Sequence, residues 1–144
     1  MRLAAALMLL ATPALAWEAT SKGPVCLLTQ KTDETTVEVS HDPRKPQAYS
    51  IQLRHMHSNW QGAPLFAIHF QGPGEITIST DRHRLIDGNA ALIVSDSGFG
   101  NVLDGLAFNH TAHAILGDQS MVIPLDGAAP EVARFRACTQ GAGV

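Results

Sequence analysis

The sequence is poor in charged and aromatic side chains, and this shortage excludes several classes of partner. Charged residues make up 16% of the 144 positions and aromatic residues 6%. Ten lysines and arginines face thirteen aspartates and glutamates, without a basic run. Nucleic acids and anionic membrane surfaces are bound through clusters of Lys and Arg that neutralise phosphates. We therefore expect no nucleic-acid partner and no binding to such a surface.

The chain also lacks the short motifs that mark common enzymes. Neither the G-x-S-x-G nucleophile motif nor the nucleotide-binding loop G-x-x-x-x-G-K-S/T occurs. The run Ser95-Asp-Ser-Gly98 is typical of a turn with local side-chain hydrogen bonds. The carboxylates are scattered, as on a solvated surface. We therefore expect no catalytic residues and no catalysis.

Long hydrophobic runs are absent, and the clearest apolar stretch opens the chain. Arg2 precedes apolar residues from Leu3 to Ala11, and Ala14-Leu-Ala16 has the pattern of a cleavage site. The stretch is far below the roughly 20 residues that cross a bilayer. We predict a signal peptide over 1–16 and a single β-rich domain over 17–144. The mature protein is then periplasmic or secreted, with no membrane span.

Only two cysteines occur, Cys26 and Cys138. In an oxidising compartment an exclusive pair most simply forms one disulfide. A redox or metal-binding pair needs a spacing such as C-x-x-C, which is absent. The predicted bridge closes nearly the whole domain, and loop-closure entropy gives it an upper value of about 4–5 kcal/mol.

Short apolar runs separated by turn signals follow the predicted signal peptide. Alternation and β-branched residues favour strands. These runs cover 25–30, 35–40, 49–55, 65–70, 75–80, 90–95, 111–116 and 120–125. The runs on either side of Gly72-Pro-Gly74 form the best hairpin candidate. Residues 102–108 suit either a helix or a strand, and Pro130 precedes a helical pattern. The pattern predicts a mostly β, single-domain antiparallel sandwich or partly open barrel with a short C-terminal helix.

Seven histidines in a small exported protein raise the possibility of a copper or zinc site. His55 and His57 are two apart, so in a strand both side chains would share a face. His110 and His113 are three apart, as helix neighbours would be, and His83 could add a further imidazole. None of these spacings matches a defined metal site. The alternative is that the histidines decorate strands and loops, so we expect no cofactor, with copper or zinc as the alternative.

Three further residues are candidates for binding. Arg82 and Arg84 flank His83 and form the most compact basic cluster of the chain. In a strand they would share a face and could bind an anion or an acidic partner, although charged residues also protect strand edges. Trp60 lies in the polar run Ser58-Asn-Trp-Gln-Gly62, where an aromatic ring either covers the core or contacts a ligand.

The two ends of the chain resemble a family of exported proteins. Trp17 and Cys26 lie near the predicted mature start. From Met121 to Cys138 an apolar strand and a glycine are followed by an Ala-rich helical segment ending in Cys. This pattern resembles small alphaproteobacterial exported proteins of the invasion-associated locus B-like type.

Short proteins like these also carry the name of the helicase component of excinuclease ABC, a DNA-repair enzyme. That name would imply a nucleotide-binding loop, which this chain does not contain. The chain is also too short for such a helicase and begins with a predicted export signal. We therefore expect that name to be misassigned.

Together these observations predict an exported accessory protein of the periplasm or envelope. It would act by binding an envelope protein or a ligand through its surface. One alternative is a periplasmic protein that binds copper or zinc. Another is a small hydrolase or a hydrolase inhibitor.

Overall fold

The computed structural model describes residues 7–8 and 16–141. The predicted signal peptide lies almost wholly outside the described residues. The elements, in chain order, are β1 (Trp17–Lys22), β2 (Val25–Lys31), β3 (Thr35–His41), β4 (Tyr49–His55), β5 (Phe66–Gln71), β6 (Ile76–Thr80), β7 (Arg84–Ile86), β8 (Ala91–Asp96), α1 (Gly100–Phe108), β9 (Thr111–Leu116), β10 (Gln119–Pro124) and α2 (Ala128–Thr139). No helix within the described ranges is long and apolar enough to cross a membrane.

The strands form two antiparallel sheets that pack face to face. One sheet has six strands in the order β1-β2-β3-β4-β8-β7, and the other has four in the order β10-β9-β5-β6. Neither sheet closes on itself, so the architecture is a sandwich rather than a barrel. The predicted fold class is therefore confirmed, including the C-terminal helix.

Period-two alternation decides which side chains form the core. In β4, Ile51 and Leu53 are buried, whereas their neighbours Gln52 and Arg54 are half-buried on the other face. In β5 the buried residues are Phe66, Ile68 and Phe70, which lie on the inner face of the four-stranded sheet. Burial of one such side chain contributes about 1.5–3 kcal/mol, so these alternating runs hold the two layers together.

Local signals located most elements correctly. The predicted hairpin is confirmed by β5 and β6, which pair antiparallel with Ile68 opposite Ile78. The final predicted strand pair is likewise confirmed by β9 and β10. The ambiguous residues 102–108 lie in helix α1. The sequence pattern does not predict the two edge strands β1 and β7, because 17–22 lacks clear alternation and 84–86 has only three residues.

Two connections tie the chain ends to the sandwich. The indole Nε1 of Trp17 and the amide Nε2 of Gln30 both donate to the carbonyl oxygen of Pro124, at 3.1 and 2.8 Å. They join the β1 and β2 side of one sheet to the last strand of the other. Cys26 of β2 and Cys138 of α2 form the predicted disulfide, with their Cα atoms 6.0 Å apart. Helix α2 is thereby held against β1 and β2.

Candidate functional site

The two sheets part beside β6, the edge strand of the four-stranded sheet, and leave a cavity of about 340 Å³. Both sheets and the start of α1 supply its apolar walls, which are Ile51, Val94, Phe66, Ile68, Ile78, Phe99 and Val102. We call this cavity the cleft. Ligand pockets typically have volumes of about 300–1,000 Å³ and are lined by apolar side chains with a few polar groups. The cleft meets this description at its lower limit.

Strand register explains why the cleft is apolar inside and polar at its rim. In the β4–β8 pair, Leu53 lies opposite Leu92, Ile51 opposite Val94 and Tyr49 opposite Asp96. Opposite residues of an antiparallel pair share one face of the sheet. The inward face of β8 therefore changes from Leu92 through Val94 to a carboxylate at the end of the strand.

An ion pair lies at this rim. Arg82 follows β6 and donates from Nη2 to Oδ2 of Asp96 at 3.0 Å. The backbone N–H of Ser97 donates to Oδ1 of Asp96 at 2.7 Å. This backbone hydrogen bond, together with the positive charge of Arg82, lowers the pKa of Asp96 below its usual value. Asp96 is therefore ionised at neutral pH, and the rim carries one fixed charge of each sign.

Other polar groups complete the rim. Ser79, Thr80 and Asn101 line the cleft together with the backbone of Gly98 and Gly100. Helix α1 begins here, and its N-cap residue Phe99 provides no side-chain hydrogen bond to the first turn. The first amide N–H groups of a helix have no partner within the helix and carry partial positive charge. The rim can therefore accept a polar or anionic head group, while the walls accept an apolar body.

The three predicted binding residues have different positions. Arg82 lines the cleft. Arg84 is the exposed first residue of β7 and does not line the cleft. Arg82 precedes β7, so the two arginines do not lie in one strand. Trp60 is only 1% exposed, and its Nε1 donates to the carbonyl oxygen of Leu53 at 3.0 Å. Its ring covers the core, so it is not accessible to a ligand.

His55 and His57 do not share a strand face. Strand β4 ends at His55, and His57 is exposed in the bend that follows, where alternation no longer applies. The His55 ring packs against Trp60 with centroids 4.4 Å apart. Burial lowers the pKa of His55, which favours its neutral form.

The remaining predicted histidines are also dispersed. His83 has its Nε2 atom 2.8 Å from the carbonyl oxygen of Ala63. His110 is exposed before β9 and His113 lies within β9, the strand predicted over 111–116, so the two are not helix neighbours. Among residues 7–8 and 16–141, no three His, Cys, Asp or Glu side chains are grouped to hold a metal ion.

Sequence spacing missed one pairing. His69 of β5 lies directly opposite His113 of β9, with ring centroids 6.4 Å apart. The two residues are far apart in the chain, and the register of the sheet brings them together. No spacing rule applied to the sequence could have identified this pair.

No protein-family model, curated protein or solved structure matches this chain. The resemblance to invasion-associated locus B-like proteins therefore stays a prediction.

Proposed function

We propose that the chain is an exported binding protein that holds a small amphiphilic carboxylate, such as a medium-chain fatty acid, in the cleft. The single observation that carries this proposal is the cavity of about 340 Å³ between the sheets, with its apolar walls and polar rim. The hydrophobic effect would drive entry of the alkyl chain. The polar groups at the rim would set the orientation of the ligand.

The proposed head group follows from the charges at the rim. Arg82 and the first turn of α1, whose N-cap residue makes no side-chain hydrogen bond, both line the cleft, and both favour an anion. Asp96 offsets part of this preference, because its carboxylate already pairs with Arg82. We therefore expect moderate affinity, with a dissociation constant in the micromolar range, rather than tight capture.

Export is supported by two features. The predicted signal peptide would direct the chain to export. The disulfide between Cys26 and Cys138 is typical of proteins in an oxidising compartment. The proposal agrees with the predicted accessory protein that acts by binding.

Probe displacement tests the proposal. Anilinonaphthalene sulfonate combines an apolar body with an anionic group, and its fluorescence rises in apolar sites. We expect the protein to bind this probe and decanoate to displace it. Ile78→Trp fills the cleft from the edge strand and should weaken probe binding about tenfold or more, a loss of about 1.4 kcal/mol.

Val122→Trp is the matched control, because Val122 is 55% exposed on the outer face of the same sheet. It should bind the probe like the wild type. Circular dichroism of both variants verifies that each is folded. Absence of probe binding by the folded wild type, or an equal loss in both variants, would exclude the cleft as the ligand site.

A further inference from the structure

The outer face of the four-stranded sheet is distinct from the cleft and carries a pair of histidines on neighbouring strands. His69 and His113 are opposite each other on adjacent antiparallel strands. Their chain neighbours Phe70 and Ala112 are fully buried, so both imidazoles lie on the opposite, outer face. The Cβ atoms of such a pair are typically about 4.5–5.5 Å apart, close enough for two imidazoles to bind one ion.

The His69 ring is already oriented by two partners. Its Nδ1 lies 2.7 Å from the hydroxyl oxygen of Thr77, and its Nε2 lies 3.1 Å from Oε1 of Glu75. Metal-ligating histidines usually have the second ring nitrogen held by a hydrogen-bonding group, which sets the ring orientation. Thr77 is placed to perform this role, leaving Nε2 directed toward a carboxylate that can itself bind a metal.

The four strands of this sheet carry no basic side chain that would repel a cation. Strands β5, β6, β9 and β10 contain no Lys, Arg, Asp or Glu. A cation at this position would therefore meet no positive side chain on the strands that carry the two histidines. The carboxylate of Glu75, just before β6, would supply favourable charge.

We propose that His69 and His113 chelate a divalent transition metal through one ring nitrogen each, with Glu75 able to join as a third ligand. Imidazole suits Cu²⁺ and Zn²⁺, and the general affinity order places Cu²⁺ above Zn²⁺. These side chains are not closed into a three-ligand set as they stand. The side chain of Glu75 is exposed and that of His113 is half-buried, so both would have to rotate toward a shared ion, and water would complete its coordination.

Isothermal titration of the untagged, oxidised protein with ZnCl₂ and with CuCl₂ tests this site. We expect one equivalent of either metal to bind with micromolar affinity. His113→Ala and His69→Ala should each weaken binding of both metals by about tenfold or more. Thr77→Val should weaken binding less and leave the stoichiometry unchanged, because it removes only the group that orients His69.

His110→Ala is the matched control, because His110 is an exposed histidine three residues before His113. It should bind both metals like the wild type. Electron paramagnetic resonance of the Cu²⁺ complex should show two nitrogen ligands in the wild type and one fewer in His113→Ala. Absence of binding, an equal loss in the His110 variant, or unchanged affinity in a folded His113 variant would overturn the proposal.

Discussion

Gly105 of α1 lies directly against the aromatic ring of Phe70. A Cβ atom added at Gly105 would be 2.5 Å from the nearest ring carbon, inside any normal contact distance. Phe70 is fully buried between the sheet and the helix. The absence of a side chain at one helical position therefore sets how closely α1 approaches the four-stranded sheet.

We expect Gly105→Ala to destabilise the protein despite the higher helix propensity of alanine. The propensity gain is up to about 1 kcal/mol, whereas overpacking a filled core typically costs about 1–3 kcal/mol. A lowered melting temperature in scanning calorimetry would agree with this expectation. Gly100→Ala is the control, since a Cβ there meets nothing within 4 Å. An unchanged or raised melting temperature for Gly105→Ala would show that the ring can move aside.

Loss of the disulfide should have a larger effect. The bridge joins residues 112 positions apart, and closing so long a loop is worth at most about 4–5 kcal/mol of unfolding free energy. We expect Cys26→Ser and Cys138→Ser each to lower the melting temperature substantially. Reductant should lower that of the wild type and leave the double variant unchanged. Equal melting curves for wild type and variants would remove the stabilising role of the bridge.

The hydrogen bond from Trp17 to Pro124 should contribute measurably to stability. Trp17→Phe keeps most of the buried ring but removes the Nε1 donor. The free energy of unfolding should therefore fall by about 1–2 kcal/mol. Denaturant unfolding provides the measurement. Gln30 still donates to the same carbonyl oxygen, so the variant should remain folded. A stability equal to that of the wild type would mean that Gln30 alone satisfies this carbonyl group.

Stability should fall as the pH is lowered through the histidine range. Burial lowers the pKa of His55 in the folded state, so the unfolded chain binds the proton more readily. The free energy of unfolding therefore begins to fall as the pH drops to about 6.5, the pKa of histidine in the unfolded chain. It falls further as the pH approaches the lower pKa of His55 in the folded state. We expect the unfolding free energy to decrease between pH 7.5 and 5, and His55→Phe to reduce this slope. An unaltered slope in a folded His55 variant would assign the pH dependence to other groups.

The charge at the cleft rim yields a prediction with a definite sign. Asp96→Asn removes a negative charge and releases Arg82 from its ion pair. If the cleft binds a carboxylate, the variant should bind decanoate several-fold more tightly and decanol unchanged, and added salt should reduce the difference. Displacement of anilinonaphthalene sulfonate measures both ligands. Weaker decanoate binding by the folded variant would argue against an anionic head group at this position.

Local pattern was sufficient to predict most of the fold. The alternation in 49–55, the glycine turn at 72–74 and the helical pattern after Pro130 depend on neighbours within a few residues, and each appears as predicted. The disulfide between Cys26 and Cys138 could be predicted because the sequence contains only two cysteines. These features are decided by backbone sterics and composition, which a sequence displays directly.

The sites depended on tertiary structure. The opposition of His69 and His113 and the position of Arg82 beside Asp96 each join residues of different strands or loops. The burial of Trp60 likewise depends on the packed core. Strand register and layer packing create such pairs, and a shift of one residue would move every side chain of a strand to the other face. The sequence by itself determined most of the strands and the C-terminal helix, because those choices are local, but it did not determine β1, β7 or the helical state of 102–108. Only the packing of the two sheets decided where the cleft and the histidine pair lie, because both depend on contacts between distant segments.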